Sequence, residues 1–235
     1  MRICLILAAT FMLPAATFAG DVVFHSGPTQ THLLELYTSE GCSSCPPAEE
    51  RLSNFRSNPD LWTQIVPVAF HVDYWNGLGW PDRFSSPAFT QRQQDYASGW
   101  GGDSVYTPEF VLDGREFQGG EISPPSGSAG NLTATLKPAG DLTIHYDPAS
   151  SASSTYEVHV ATLGMGIESD VRAGENGGRR LHHDFLVLHL LFHPIDPAIE
   201  SATVSLPADG AKALAIWITR PGSQVPIQAA GGSLQ

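Results

Sequence analysis

Basic residues are scarce in this 235-residue sequence: 12 Lys and Arg stand against 24 Asp and Glu, and no basic run occurs anywhere. The formal net charge of −12 excludes nucleic-acid binding through the phosphates, which needs a basic surface to release counterions. Charge of either sign is limited to 15% of residues, against 42% hydrophobic residues, 23 Gly and 18 Pro. That balance excludes a disordered chain or a coiled coil and leaves enough apolar mass for one large domain or two small ones. The long apolar run at the start, Ile3 to Phe18, follows Arg2 and leads into Thr17-Phe18-Ala19 before Gly20. It is too short and wrongly flanked for a membrane span, and reads as a secretory signal peptide over residues 1–19. No stable membrane span is expected once it is removed, and the protein is expected to be periplasmic or secreted.

Cysteine is scarce too. Of three, Cys4 falls inside the signal, so the mature chain keeps only Cys42 and Cys45, at C-x-x-C spacing. In an exported protein such a pair either staples a tight loop or does redox chemistry. A staple closing so short a loop restricts the unfolded chain least, which favours redox use.

Around the pair, residues 31–37 form a short apolar run that reads as a buried strand, and residues 48–55 read as a helix with Leu52 and Phe55 inward. Residues 65–72 (IVPVAFHV) read as a second buried strand, parallel to the first. Residues 86–98 begin with a Ser-Pro start signal and carry Phe89, Arg92, Gln93 and Tyr96 at helical spacings. Residues 109–112 and 115–118 flank Asp113-Gly114 as a hairpin. The resulting β-α-β-α order followed by a hairpin is that of a thioredoxin-like domain, expected over residues 20–120. A Gly-, Pro- and Ser-dense linker covers 121–130. Beyond it, strand candidates at 142–146, 156–163, 181–192, 202–206, 213–219 and 225–229 predict an antiparallel β-sandwich-like domain over 131–235. The expected fold class is therefore α/β plus β.

The chemistry follows from the thiolate, the species that attacks in disulfide exchange. Cys42 lies where a strand ends and a helix begins, which favours its anion, so it is the candidate attacking thiol, with Cys45 resolving. Pro46 and Pro47 supply no N–H groups, which reduces that help if the helix begins with them. Thr107-Pro108 is a candidate cis-proline loop lying against the pair, with a backbone edge for extended substrates. His71, Asp73, Tyr74 and Trp75, with Trp80, follow the second strand at the sheet edge where such folds place their sites. They could line a substrate rim, and His71 or Asp73 could relay protons. The opposite reading is that the tryptophans pack a long loop and His71 is a satisfied buried histidine.

His183, His189 and His193 share one face of a single strand candidate, but His183 and His189 would be about 20 Å apart and could not converge on one ion. The sequence carries no cofactor motif and no dedicated metal site. Cys42 and Cys45, with His71, could instead hold copper(I) or zinc.

The run Leu36 to Glu49, the stretch Phe70 to Trp80, the continuation through Ser86 to Gln93 and on to Tyr106-Thr107-Pro108, and Gly174 to Arg179 with His183-Asp184 resemble the bacterial secreted thioredoxin-like proteins filed as domain of unknown function 1223. The resemblance spans nearly the whole mature chain. It implies a thioredoxin-like N-terminal part and a β-rich C-terminal part, and it brings no assigned reaction. The leading expectation is an exported thiol-disulfide oxidoreductase acting on a protein or small-molecule thiol or disulfide. A copper- or zinc-binding carrier using the two cysteines, and a non-catalytic binding module with a structural disulfide, remain as alternatives.

Overall fold

The computed structural model describes residues 20–27, 29–150, 155–195, 201–207 and 210–234; the expected signal peptide, residues 1–19, lies outside the described residues. In chain order the strands and helices are β1 (Val22–His25), β2 (His32–Thr38), α1 (Pro46–Ser53), β3 (Ile65–His71), α2 (Pro87–Gly99), β4 (Glu109–Leu112) and β5 (Arg115–Glu116). Then come β6 (Asn131–Leu136), β7 (Asp141–Asp147), β8 (Tyr156–Gly164), β9 (Ile167–Asp170), β10 (Arg180–His183), β11 (Leu186–Ile195), β12 (Ser201–Ser205), β13 (Ala213–Thr219) and β14 (Gln228–Ser233). No helix among the described residues is long and apolar enough to cross a membrane.

The expected thioredoxin-like domain followed by a β-sandwich-like domain is corrected by the sheet topology. The molecule is mostly β, and its largest sheet has eight strands in the order β14-β13-β8-β11-β3-β2-β4-β5, drawn from both sides of residues 121–130. The junction is a parallel pairing of β11 with β3, Leu186 opposite Ala69, where the Ala69 N–H donates to the Phe185 carbonyl at 2.8 Å. β2 and β3 are parallel, as their apolar runs predict. The physical reason for the difference lies in β8 and β13. All seven residues of β13 (ALAIWIT) are buried, as are all but one of β8. Strands apolar on both faces belong in the middle of a covered sheet. Strict alternation, the mark of a half-exposed sheet, is confined to strands such as β7, whose residues are exposed and buried in turn.

The second sheet, β1-β6-β7-β12, is that half-exposed one. Its inner residues Leu132, Leu136, Leu142, Ile144 and Tyr146 pack on Val158, Val160, Leu214 and Ile216 of the large sheet. On the same face of the large sheet, α1 places Leu52 against Leu34, Leu36 and Ala69. On the opposite face, α2 places Phe89 and Tyr96 against Leu33, Tyr37, Phe70 and Trp217. Both helices thus flank β2 and β3, and the loops at the C-terminal ends of those two strands are held from either side.

His159, on the α2 face, stacks on Trp217 with ring centroids 5.3 Å apart and lies 3.0 Å from the Thr219 hydroxyl. Burial, helped by the Arg92 charge, pushes its pKa down from 6.5 to about 3. The unfolded chain therefore takes up a proton near pH 6.5 that the folded protein refuses until about pH 3. Stability from this group is full above pH 6.5 and falls by about 1.4 kcal/mol for each pH unit below it. Urea unfolding at pH 7.0, 6.0 and 5.0 is expected to show this slope, and His159→Gln to flatten it. An equal slope in both proteins would assign the acid sensitivity to other groups.

Candidate functional site

The turn between β2 and α1 carries the cysteines. Cys45 forms the N-cap of α1, its carbonyl accepting from the Ala48 and Glu49 N–H groups, and the helix begins at Pro46. Cys42 and Cys45 are disulfide-bonded with Cα atoms 5.4 Å apart. The Cys42 sulfur is 3.3 Å from Ser44 Oγ and 3.8 Å from the Thr107 carbonyl oxygen. The Thr107–Pro108 peptide is cis. Both cysteines are fully buried, while Ser43 and Ser44 between them are exposed.

The rim residues sort into two groups. Trp75 donates from Nε1 to Thr107 Oγ1 at 2.8 Å, and a Cβ on Gly41 would meet the Trp75 Cβ at 2.9 Å, so glycine here lets the tryptophan close on the cysteine turn. Tyr74 is exposed enough to meet a ligand and donates to Gln93 Oε1, whose Nε2 donates to the Tyr106 carbonyl; burial raises the phenol to about 12. These bring Trp75, Tyr74 and Thr107 together beside the disulfide. Asp73 does not join them: its Oδ1 accepts from Thr90 Oγ1 at 2.5 Å, and its N–H donates back to that oxygen, which ties the loop to α2.

A hairpin from the far end of the chain covers the cysteine turn. β9 and β10 pair antiparallel, and the turn between them presents Glu175 and Asn176. Asn176, fully buried, donates from Nδ2 to the carbonyls of Glu40 and Cys42, each at 2.9 Å. Glu175 Oε2 accepts from the Ser43 N–H at 2.9 Å, and the Ser43 hydroxyl, with that N–H, holds the Glu175 carboxyl below its ordinary pKa. The sequence segment 181–192 reads as one strand, but the chain breaks it. Phe185, at φ 55°, separates β10 from β11, so His183 leaves the line of His189 and His193 and turns toward the cysteine turn.

Behind the disulfide, where α1 meets the ends of β2 and β3, lies a buried polar cluster. Its members are Glu40, Glu49, His71, Asp82 and His183, all 6% exposed or less. His71 Nδ1 is 2.6 Å from Asp82 Oδ2, which also accepts from the Glu40 N–H. Burial works to raise the Asp82 carboxyl, but the His71 charge and hydrogen bond, with the Glu40 and Phe84 N–H groups, win and bring it to about 2. His183 Nδ1 is 2.5 Å from Glu49 Oε2, and its Nε2 is 3.2 Å from Glu40 Oε1. Burial disfavours the imidazolium, yet the two carboxylates outweigh it and push His183 up to about 9. Thr38 Oγ1 donates to the other Glu49 oxygen and Trp80 Nε1 to the other Glu40 oxygen.

Sequence reasoning singled out His71, the neighbouring Trp80 and, on a different strand face, His183, and missed Glu40, Glu49 and Asp82 as their partners. The signal that could have found them is the charge at positions packed among apolar ones: Glu49 shares a helix face with Cys45, four residues away.

Two solved structures share the fold. Protein AGR_C_4864 from Agrobacterium tumefaciens aligns with a TM-score of 0.59 at 24% identity, over 88% of this chain and 94% of its own. HBP35 of Porphyromonas gingivalis aligns with a TM-score of 0.56 at 16% identity, over 89% of this chain and 76% of its own. At these identities the likeness concerns the fold alone. No curated protein matches the chain. The model of the family described as "Protein of unknown function (DUF1223)" matches residues 33–218, most of the sequence, and the chain therefore belongs to that family.

Proposed function

We propose that this protein is an exported thiol-disulfide oxidoreductase, periplasmic or secreted, acting through Cys42 and Cys45 on a protein or small-molecule thiol or disulfide. The observation that carries this reading is the approach of the Cys42 sulfur to 3.8 Å from the Thr107 carbonyl, next to Pro108. An extended substrate pairing with the backbone before Pro108 would bring its own sulfur to Cys42. Thr107, Tyr74 and Trp75 would line that edge. In the reduced protein, the Ser44 hydroxyl is placed to donate to the Cys42 thiolate, which compensates in part for the N–H groups that Pro46 and Pro47 do not supply. His71 and Asp73, engaged with Asp82 and Thr90, would hold the site's walls.

A second reading is favoured by burial. Neither cysteine has exposed surface, and the β9–β10 hairpin lies over their turn, as expected of a structural staple in a non-catalytic binding module. A carrier holding copper or zinc on Cys42 and Cys45 would need both thiols reduced, and stoichiometric metal on those sulfurs in the reduced protein would mark it.

The reduction potential separates these readings. Metal-free mature protein is equilibrated with glutathione buffers and the Cys42–Cys45 pair is quantified. A value of roughly −120 to −270 mV matches exchange catalysts and gives the direction of electron flow, whereas one below about −300 mV identifies a staple and overturns the enzyme reading.

A further inference from the structure

We propose that the buried cluster behind the disulfide is a binding site for one divalent transition-metal ion, zinc in the first instance, held by His71, His183 and Glu49 with Glu40 beside them. The site uses nitrogen and oxygen donors only and is separate from the cysteine chemistry, so it stands whether or not the disulfide is catalytic.

Three observations carry it. One nitrogen from each histidine and one carboxylate oxygen of Glu49 lie within 4.8 Å of one another. In a tetrahedral zinc site with bonds of 2.0–2.1 Å, ligand atoms sit about 3.3 Å apart, so side-chain rotations of about an ångström close the set. Next, a polar atom here is left over. His71 Nε2 is buried and has no hydrogen-bond partner among the described residues, although buried polar atoms in folded proteins are normally satisfied. Glu40 Oε1 is 3.2 Å from His183 Nε2, which places a second carboxylate at the same imidazole as Glu49. Finally, His71 is arranged as ligating histidines are. Its Nδ1 is engaged by the Asp82 carboxylate, which fixes the ring and leaves Nε2 free to bind an ion.

Two imidazoles and one or two carboxylates form a donor set that suits zinc, and the absence of sulfur disfavours copper(I). The donors come from α1, β3, β10 and the turn after β2. Binding would therefore pin the β9–β10 hairpin over the cysteine turn, and the ion would enter when that hairpin opens.

The test uses the full mature protein with its disulfide intact. It is refolded with zinc or cobalt(II), freed of loose metal and assayed for bound metal per chain. The expected result is one ion per chain, a thermal midpoint that rises with zinc, and a tetrahedral cobalt(II) spectrum lacking the thiolate charge-transfer band. Asp82→Asn, which frees the His71 ring, is expected to weaken zinc about 10- to 100-fold, and His71→Gln to weaken it further. Less than a tenth of an equivalent of metal with no thermal shift would overturn the proposal, as would sulfur in the cobalt spectrum. The wild-type spectrum decides the matter even if a variant fails to fold.

Discussion

Cys42→Ser is expected to lower disulfide exchange by at least about a thousandfold, while Cys45→Ser keeps the first chemical step and stops at a mixed disulfide. The two sulfurs differ in how the chain holds them. Cys45 is built into the start of α1, its carbonyl accepting two helical N–H groups, and its side chain faces the protein interior. Cys42 precedes the helix, adjoins the exposed Ser43 and Ser44, and touches the Thr107–Pro108 loop. In the oxidising direction for the protein, the Cys42 thiolate attacks a substrate disulfide, forms Cys42–S–S–substrate and releases one substrate thiolate. The Cys45 thiolate then attacks the Cys42 sulfur, closes the protein disulfide and releases the second substrate thiolate, so the substrate gains the two electrons that the protein loses. Cys45→Ser removes only the second attack. Mass spectrometry of each reduced variant after incubation with glutathione disulfide reads the outcome. A stable glutathione adduct on Cys42 in the Cys45→Ser protein is expected. Adducts forming equally on Cys45 in the Cys42→Ser protein would remove the distinction between the two roles.

The burial of the pair sets a condition on this chemistry. The hairpin that carries Asn176 and Glu175 must lift from the cysteine turn before a protein substrate can reach Cys42. It is attached by the Asn176 and Glu175 hydrogen bonds, one of them to the exposed Ser43, and by the His183 contacts with Glu49 and Glu40, and opening a unit of this size is less costly than global unfolding. If the buried cluster is loaded with metal, the same hairpin is tied down through His183, so the metal state and the rate of exchange would be linked.

The local elements around this site were legible in the sequence because each carries its own signal. Ser86-Pro87 starts α2, with the Ser86 hydroxyl accepting from the Ala88 N–H, and Asp113-Gly114 turns β4 into β5. What the sequence hid is the pairing of β11 with β3. A parallel contact between residues 69 and 186 leaves no local pattern, and without it the C-terminal strands look like a unit of their own. β8 and β13 added to the illusion, since a run of buried residues does not announce which neighbours it will have. The cluster was hidden for a different reason. A glutamate in a helix or a turn is exposed by default, so Glu49 and Glu40 read as solvated until His183 is seen to arrive from 134 residues away in sequence. The single break at Phe185 decides this, because it moves His183 off the strand that holds His189.

On the other face of the sheet, Arg92→Ala is expected to destabilise the protein by about 3–5 kcal/mol, the usual consequence of breaking a buried ion pair from one side. Arg92 Nε is 2.7 Å from Glu35 Oε2, with side chains 4% and 0% exposed. Burial disfavours the guanidinium charge, but Glu35 more than offsets this, so Arg92 is held charged. Glu35 also accepts from the hydroxyls of Tyr37 and Tyr96, whose phenols burial pushes well above their ordinary pKa. The guanidinium lies over the rings of Phe70, Tyr96 and Trp217. Truncation therefore leaves a buried carboxylate facing two tyrosines without its cation, and opens a gap among three aromatic rings. Replacing both partners, Arg92→Met with Glu35→Leu, removes the uncompensated charge and is expected to cost much less than Arg92→Ala alone. Urea unfolding with an unchanged slope reads both values. A loss below about 1 kcal/mol for Arg92→Ala would show that water reaches Glu35. The pair matters to the site because α2 begins beside it: the Ser86 N–H donates to the His71 carbonyl at 3.1 Å, so loosening α2 loosens the strand end that carries His71. Arg92→Ala is accordingly expected to weaken zinc retention as well as stability, whereas the double replacement, which keeps α2 packed, should retain it.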